Sequence, residues 1–381
     1  MKFIHLSDLH LGKRVNGFSM LEDQDYILKK ILQIVEEEQP DAVVIAGDVY
    51  DKSVPSAEAV TLLDGFLCSL AERHLQVLLI AGNHDSAERL AFGGRLLAAS
   101  GVHISPVYGG RAECVTLKDA CGPVHFWLLP FVKPVHVKAF LAEDEASAIE
   151  SYTDAVRAVI ERMDVNFEER NVLVCHQFVT GAARSESEDV SVGGLDNVDA
   201  CVFDGFDYAA LGHIHGPQNI GGPSVRYCGT PLKYSFSEKD HEKSATVVEM
   251  GEKGALCVRT VPLQPLRDMR EVKGPYDEVV HRGVQEGSSR EDYMHVILTD
   301  DEDVPDALAK LRTVYPNLMK LDYDNTRTQT ASKFEEGAQL EKKTELELLG
   351  EFYEKQNGTP LNDAQKAYAA SLWERIQEEL S

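Results

Sequence analysis

The 381-residue sequence predicts an α/β fold built on a large sheet system. From residue 1 to about residue 260, short apolar runs alternate with stretches of helical periodicity, which is typical of a sheet buried between other layers. Several apolar runs pass directly into polar residues of metal-binding type. In α/β sheets the carboxyl ends of strands form the crevice where ligands bind, so these runs indicate where the functional site lies.

The predicted elements of this first region follow in chain order. The strand-like runs are residues 3–6, 42–46, 77–81, 124–128, 172–175, 208–211, 225–228 and 246–250, and the helical patterns are residues 21–38, 56–71 and 86–99. The pattern resets around residues 262–265, so we place a domain boundary near residue 265. The domains are therefore 1–264, a small α/β module over 265–325, a polar linker over 326–343 and a helical tail over 344–381.

The tail reads as two short amphipathic helices separated by residues 357–360. One apolar stripe contains Leu346, Leu349, Phe352 and Tyr353, and the other contains Ala364, Tyr368, Leu372, Ile376 and Leu380. The pattern predicts Asn362 as the N-cap of the second helix, with Gln365 three residues later. From the pattern alone, the two stripes can dock either on the rest of the chain or on a partner.

Composition limits the class of protein. Hydrophobic residues make up 43% and charged residues 27%, as in ordinary soluble domains, and no apolar run is long enough to span a membrane. Cytoplasmic residence is the default expectation. The seven cysteines include no Cys-x-x-Cys pair, and we expect most of them to be small core residues in a reducing compartment. The net charge of −25 opposes a polyanionic substrate unless local cations or another protein compensate.

Five strand ends carry metal-ligand types. The segment "LSDLHLG" places Asp8 and His10 two residues apart, so that both side chains face the same side of an extended chain. The other four segments are "VVIAGDVYD" with Asp48, "VLLIAGNHD" with Asn83, His84 and Asp85, "VLVCHQ" with His176, and "YAALGHIHG" with His213 and His215. Asp8, His10, Asp48, Asn83, His176, His213 and His215 supply seven donors. We expect them to converge at one edge of the sheet.

Seven donors suit two metal ions that share one bridging carboxylate, because a single zinc ion takes only three or four protein ligands. The mixture of imidazole, carboxylate and amide oxygen favours Mn, Fe or Zn over Mg or Ca. Two such ions suit in-line hydrolysis of a phosphoester. The remaining histidines lack this context and read as structural or surface residues, although His5 lies close enough in sequence to watch.

His84 neighbours a predicted ligand but would point away from Asn83 in extended chain. An imidazole beside a two-metal site is a natural general acid for the leaving alkoxide. The structural alternative is that His84 only forms hydrogen bonds, to Asp48 or to the phosphate.

The five blocks, in this order, resemble the signature of the calcineurin-like metallophosphoesterases. Within that superfamily the chain is most similar to the SbcD-type nuclease subunits of bacterial DNA-processing complexes. The closer similarity rests on "GDVYDKSVPSAEAV", "SESEDVSVGGLDNVD", "FDYAALGHIHGPQ" and "RYCGTPLKYSFSE", and it extends over nearly the whole chain. Generic phosphoesterases need none of these segments.

The resemblance implies a β-sandwich flanked by helices, with a small α/β capping domain over 265–325. It implies one metal held by Asp8, His10, Asp48 and His215, and a second held by Asp48, Asn83, His176 and His213. Asp48 would be the bridge, His84 the catalytic histidine, and Mn²⁺ the usual ion. Asp51 departs from relatives that often carry a histidine there, so any role of that histidine cannot be transferred.

The resemblance further implies a nuclease that acts on DNA, exonucleolytic (3′ to 5′) on duplex ends and endonucleolytic on single strands or hairpins, in DNA end processing, replication and recombination. The C-terminal helices would bind an SbcC-type ATPase, giving a heterotetramer around a homodimer formed by helices of the first domain. The alternatives are a phosphoesterase acting on a nucleotide or phosphoprotein, and a metal-free scaffold.

Overall fold

The structure is a computed structural model of the chain. It describes residues 1–188, 197–285 and 287–325, together with 349–350, 352–354, 360–362, 364–366, 368–369 and 372. The chain divides into two compact units, Met1–Met269 and Arg270–Ser381.

The first unit alternates strands and helices along the chain. Its strands are Lys2–Leu6 (β1), Arg14–Val15 (β2), Phe18–Ser19 (β3), Ala42–Ala46 (β4), Gln76–Ile80 (β5), Val102–Ile104 (β6), Glu113–Asp119 (β7), Gly122–Leu129 (β8), Arg170–His176 (β9), Phe178–Val179 (β10), Asn197–Val198 (β11), Tyr208–Gly212 (β12), Gln218–Ile220 (β13), Gly222–Tyr227 (β14), Ser244–Met250 (β15) and Leu256–Pro262 (β16). Its α-helices are Leu21–Glu38 (α1), Ala57–Glu72 (α2), Ala87–Leu90 (α3), Gly94–Leu97 (α4), Pro134–Lys138 (α5), Glu143–Ser147 (α6) and Tyr152–Glu161 (α7).

Two six-stranded sheets lie face to face. The strand orders are β16-β15-β1-β4-β5-β6 and β13-β14-β12-β9-β8-β7. Fully buried side chains from both sheets, among them Phe3, Val44, Phe126 and Val174, form the core between them. Phe3 and Phe126 meet edge to face across this core, with ring centroids 5.4 Å apart. The class predicted from the sequence, an α/β fold with a β-sandwich flanked by helices, is confirmed.

Helices cover the outer faces of the sandwich. On α1, the buried Ile27, Ile31 and Ile34 recur at helical spacing and leave the polar residues outside. Behind the second sheet, α5 and α7 bury Val137, Val156 and other apolar residues in a separate core cluster. β4 is buried along its whole length, which explains why its sequence reads as an unbroken apolar run.

The second unit contains a three-stranded sheet in the order β17-β18-β19. Its elements are Met269–Gly274 (β17), Tyr276–Gln285 (α8), Tyr293–Leu298 (β18), Ala307–Arg312 (α9) and Leu318–Tyr323 (β19). Met294, Val296, Leu311 and Tyr315 are buried in its core. This unit is a small α/β module, as the sequence predicts.

Several sequence predictions need correction. The helix predicted over 86–99 is interrupted, because Gly93 adopts a left-handed conformation (φ 73°) between α3 and α4. The sequence pattern does not predict strand β7 or helix α7. The expectation that most cysteines are core residues is wrong: only Cys175 and Cys228 are buried. The exposed free thiols are Cys68, Cys114, Cys121, Cys201 and Cys257. Cys114 and Cys257 lie on β7 and β16, which form edges of the two sheets.

The tail is described only at scattered positions, and the linker predicted over 326–343 lies outside the described residues. Asn362 and Gln365 nevertheless form the predicted capping box. The Gln365 N–H donates to Asn362 Oδ1 and the Asn362 N–H donates to Gln365 Oε1, both at 2.9 Å. In the described part of the chain, no helix has the length and apolar content needed to cross a membrane.

Candidate metal centre

The five strand ends singled out from the sequence meet at one edge of the sandwich. Strands β1, β4 and β5 are parallel neighbours in the first sheet, and β9 and β12 are parallel neighbours in the second. Their carboxyl ends therefore lie at the same edge. Asp8, Asp48 and Asn83 follow the strands of the first sheet, whereas His176 is the last residue of β9 and His213 directly follows β12 in the second.

The backbone turns sharply where these side chains emerge. Asp8, His10, Asp48 and His213 have positive φ values of 53°, 45°, 48° and 104°. Residues other than glycine rarely adopt this conformation, and such strain concentrates at functional sites, where surrounding contacts hold it. Four of the seven predicted ligands thus occupy backbone conformations that only a well-packed site maintains.

Two glycines allow the sheets to approach each other at this edge. A Cβ on Gly212 would lie 1.9 Å from the carbonyl oxygen of Ala46, and a Cβ on Gly47 would lie 2.3 Å from His176 Nδ1. Gly47 also has a positive φ of 86°. Glycine is required at both positions, because the close neighbours are the backbone of the first sheet and a histidine of the second.

The first group of donors surrounds Asp48. His176 Nδ1 lies 2.8 Å from the carbonyl oxygen of Ala46, to which it donates, so Nε2 is the ring atom that faces the cluster. Nε2 lies 3.1 Å from Asn83 Oδ1 and 3.3 Å from Asp48 Oδ2. His213 Nδ1 lies 2.9 Å from the same Asn83 oxygen. Two imidazole nitrogens, an amide oxygen and a carboxylate oxygen thus converge at one point, and this donor set fits a divalent metal ion.

The second group of donors contains Asp8, His10 and His215, whose ligand atoms lie within 4.8 Å of one another. His10 Nε2 is 3.2 Å from His215 Nε2 and 3.8 Å from Asp48 Oδ2. Asp48 forms a further group of this kind with Asp8 and His176. The structure therefore brings all seven predicted ligands together and places Asp48 between the two groups.

The pKa values reflect a site built for positive charge. Burial opposes a charged His176, but the adjacent Asp48 carboxylate outweighs it and raises the pKa of His176 to about 9. Burial likewise opposes a charged Asp48, yet His176 holds the pKa of that carboxyl well below its usual range. Burial and the neighbouring His176 lower the pKa of His213 to about 3, which keeps this ring neutral and able to bind a metal.

His84 occupies the outer side of the cluster. Its side chain is 21% exposed, whereas those of His10 and His176 are buried. Its ring Nε2 is 3.9 Å from Asp48 Oδ2, too far for a hydrogen bond, and its backbone N–H donates to Asp48 Oδ1 at 2.9 Å. Its Nδ1 lies 3.2 Å from the carbonyl oxygen of Asp51. The structural alternative for His84 included a hydrogen bond to Asp48. The structure shows that the backbone N–H of His84 forms this bond and that its ring does not.

A network of side chains supports His215 from behind. Ser187 Oγ lies 2.7 Å from His215 Nδ1 and donates to Glu238 Oε1 at 2.5 Å. The Lys243 ammonium donates to Glu238 Oε2 at 2.5 Å and to the His215 carbonyl oxygen at 2.9 Å. The His215 N–H donates to Glu188 Oε1 at 2.7 Å. Such contacts orient a ligating imidazole.

Sequence reasoning missed this network, although a signal was present. Ser187 and Glu188 lie in "SESEDV" and Glu238 lies in "KYSFSE", two of the segments that generic phosphoesterases do not need. Asp85 also has a structural role that its sequence context does not predict. Its buried carboxylate accepts hydrogen bonds from the backbone N–H groups of Val49, Tyr50 and Gly82, at 2.9 to 3.0 Å, and so joins the ends of β4 and β5.

His5 does not belong to the donor groups found among the described residues. It is buried in β1, and its Nδ1 lies 2.9 Å from the hydroxyl of Tyr208. Burial and the nearby charge of Arg226 lower the pKa of His5 to about 3, so the ring is neutral in the core. Its structural interpretation is confirmed.

The sequence matches two known family descriptions. Residues 1–217, more than half of the chain, match the calcineurin-like phosphoesterase family. Residues 265–357 match the SbcD_C family, described as a type 5 capsule protein repressor C-terminal domain.

Similar proteins extend over the whole chain. The SbcD subunit of the SbcCD nuclease of Staphylococcus epidermidis is 32% identical over 369 residues, which cover 96% of each chain. The corresponding SbcCD nuclease subunit of Staphylococcus saprophyticus is 33% identical over 383 residues, which cover 100% of this chain and 99% of that one. The psychrophilic beta-glucosidase BglU of Micrococcus antarcticus aligns over 84% of this chain and 83% of its own, but at 11% identity and a TM-score of 0.21 it carries no argument about fold.

Proposed function

Since the chain belongs to the calcineurin-like phosphoesterases and, within them, to the SbcD nuclease subunits, we propose that it is the DNA-cleaving subunit of a complex for DNA end processing, replication and recombination. Its activities are 3′-to-5′ exonuclease on duplex ends and endonuclease on single strands and hairpins. The observation that carries the proposal is the convergence of metal-binding atoms of Asp48, Asn83 and His176 at the strand ends.

Two divalent ions, Mn²⁺ in this proposal, are the cofactors. Asp8, His10, Asp48 and His215 would hold one, and Asp48, Asn83, His176 and His213 the other, which is supported by the position of Asp48 between the two groups. When bound, such ions activate water and neutralise charge that develops on the phosphate. Imidazole ligands mixed with oxygen ligands favour a transition metal over Mg²⁺.

His84 is the proposed general acid. Its ring lies on the more exposed side of the cluster, and the Asp51 carbonyl oxygen 3.2 Å from Nδ1 fixes the ring by accepting that N–H. Nε2 then faces the cluster, where a proton can be passed to the leaving alkoxide. The backbone hydrogen bond from His84 to Asp48 ties the acid to the proposed bridging ligand.

The charge of the chain shapes the proposal for DNA binding. A net charge of −25 repels DNA, so the ATPase partner and local cations must supply much of the attraction. In this proposal residues 1–264 carry the nuclease site and residues 265–325 form a capping domain that positions DNA. The complex would act in the cytoplasm, at the nucleoid.

The C-terminal helices are the proposed binding site for an SbcC-type ATPase. Among their described residues, apolar side chains of both predicted stripes are exposed: Leu349 (45%), Phe352 (51%), Tyr368 (69%) and Leu372 (37%). Exposed apolar side chains in one segment mark an interaction surface. A chain ending at residue 335 should no longer co-purify with the ATPase; undiminished co-purification would refute this assignment.

A homodimer through α1 and α2 completes the proposed heterotetramer. These helices line a largely apolar groove of about 750 Å³ that includes Leu28, Leu32, Leu62 and Gly65. Gly65 lies inside α2, where glycine is unfavourable, and no atom of the described chain lies within 4 Å of its missing Cβ. A helix of a second copy that packs closely against this position would explain why α2 contains a glycine there. Gly65→Arg should convert the dimer to a monomer in light scattering.

The function is tested by Mn²⁺-dependent cleavage of end-labelled duplex and hairpin DNA, with a small aryl phosphodiester alongside, with and without the ATPase. His84→Ala should lower kcat on DNA by about 10²- to 10⁴-fold at full metal content, and His136→Ala, on the exposed side of α5, serves as the matched control. Turnover of the small ester without DNA cleavage would instead favour a phosphoesterase acting on a nucleotide or phosphoprotein.

A further inference from the structure

A second polar pocket adjoins the metal centre. Its cavity volume is about 470 Å³, and Gly216 and Pro217, which directly follow His215, form part of its wall. The polar side chains that line it include those of Arg184, Arg226, His241, Glu242, Ser244 and Thr260. Among these side chains two guanidinium groups stand against one carboxylate, so the lining is locally basic in a strongly acidic chain.

Arg226 is the strongest indication that an anion belongs here. The residue is only 9% exposed, and its hydrogen bonds go to two neutral groups, Thr246 Oγ1 at 3.2 Å and Asn219 Oδ1 at 2.7 Å. Within the described ranges, no carboxylate forms an ion pair with it. Buried arginines are nearly always paired with an anion, because an uncompensated buried charge is costly.

Arg184 brings a second positive charge to the same wall. Its guanidinium carbon lies 3.4 Å from the ring centroid of Phe178, a cation–π contact that fixes its plane. The preceding residue, Ala183, is held by two reciprocal 2.9 Å hydrogen bonds with the Gln218 side chain. Phe178 in turn lies beside the ring of His213, at a centroid distance of 6.5 Å. The arginine therefore connects the pocket with the metal centre.

We propose that this pocket binds a phosphate group of the nucleic-acid strand being cleaved, other than the phosphate that is hydrolysed. Guanidinium groups match phosphate oxygens in charge and in bidentate geometry, and Ser244 and Thr260 add hydroxyl donors. The inference rests on the proposed function for its DNA. The two guanidinium groups of the pocket would supply local positive charge, which a chain of net charge −25 needs in order to bind a polyanion.

The variants that test it are Arg184→Gln and Thr260→Glu. Thr260 is exposed on β16 and pairs in register with Thr246, so a glutamate there places a carboxylate beside Arg226 without disturbing the core. Arg157→Gln removes the same charge from an exposed site on α7 and is the matched control. Circular dichroism and the thermal midpoint establish that each variant is folded.

Two measurements on the full chain separate the inference from the proposed function. Calorimetric titration with inorganic phosphate in EDTA should show binding to the wild type and to Arg157→Gln, weakened at least tenfold in both test variants. In Mn²⁺, the same two variants should raise the KM for hairpin DNA by about tenfold, and Arg184→Gln should reduce the slope of log KM against log salt by about 0.7 to 0.9.

The outcomes are distinguishable. DNA cleavage by the wild type with no phosphate binding in EDTA, or with phosphate binding retained in both variants, would overturn the pocket and leave the nuclease intact. Phosphate binding that both variants lose, in a chain that cleaves no DNA, would support the anion site and overturn the proposed function.

Discussion

The two halves of the proposed metal centre are held in place by different parts of the chain. In the half formed by Asp48, Asn83, His176 and His213, strand ends and close backbone contacts fix the proposed ligands, as in the hydrogen bond from His176 to the Ala46 carbonyl oxygen. In the half formed by Asp8, His10 and His215, His215 depends on loop side chains, chiefly Ser187 and Glu238. Support by strand ends can be recognised in the sequence, because each apolar run ends in a proposed ligand. Support by loop side chains cannot, because it depends on loops far apart in sequence coming into contact.

The largest effect is expected from the loop-supported half. Glu238→Ala leaves the buried Lys243 ammonium without its carboxylate, which should cost about 3 to 5 kcal/mol of unfolding free energy. Affinity for Mn²⁺ should fall about 10- to 100-fold, because the imidazole of His215 loses its orientation. Urea unfolding and calorimetric metal titration measure the two quantities.

A double variant separates these effects. Replacing Glu238 and Lys243 together with methionine removes the unpaired charge, so stability should largely return while Mn²⁺ affinity stays low. If metal affinity returned with stability, the network would be structural only. Arg157→Ala, which breaks the exposed Asp154–Arg157 pair on α7, is the control and should change stability by less than about 0.5 kcal/mol.

The backbone-supported half is tested by Gly212→Ala. The added methyl group would meet the Ala46 carbonyl oxygen and the His176 ring, so the sheets must separate at this edge, at a cost of about 3 kcal/mol. Gly222→Ala, at a position with no atom within 4 Å of the missing Cβ, should shift the thermal midpoint little. Equal stability of the two variants would contradict the close-approach argument.

A pH-dependent effect is expected at the opposite end of β9, away from the metal centre. Arg170 there donates to both oxygens of Asp119, and its guanidinium holds the pKa of that carboxyl well below the usual range. Because the folded pKa is the lower one, the stabilisation is complete above the unfolded pKa near 4 and is lost as pH falls through the folded value. Asp119→Asn should lower the free energy of unfolding by about 1 kcal/mol at about pH 6. The difference in unfolding free energy between this variant and the wild type, measured by urea unfolding, should shrink as the pH falls. The affinity for Mn²⁺ should not change.

The smallest effect on stability is expected at Ser187. Ser187→Ala removes the hydroxyl between His215 and Glu238 but leaves the buried ion pair intact. Stability should change by less than about 1 kcal/mol, whereas Mn²⁺ affinity should fall about tenfold. Ser147→Ala, at the exposed end of α6, is the control; identical metal affinity in the two variants would remove Ser187 from the support of His215.

Sequence reasoning succeeded where local pattern and tertiary structure coincide. The apolar run of β4 predicts both a buried strand and the exit point of Asp48, because parallel strands deliver their ends to one edge. It failed where the secondary structure or the burial of a residue depends on its neighbours in the folded protein. Strand β7 alternates exposed and buried residues and carries charged residues such as Glu113 and Lys118, so its seven residues do not stand out as apolar. The exposure of Cys114 and Cys257 follows from their edge strands, which the sequence did not reveal.

The hydrogen bond from the His213 N–H to Asp8 joins residues 205 positions apart. During synthesis, at about 5 to 20 residues per second, the first ligands leave the ribosome roughly 10 to 40 s before the last. A nascent chain therefore exposes Asp8 and His10 long before it can enclose a cation. The proposed site can form only after His215 has left the ribosome and the two sheets have closed, which is a slow step for contacts so distant in sequence.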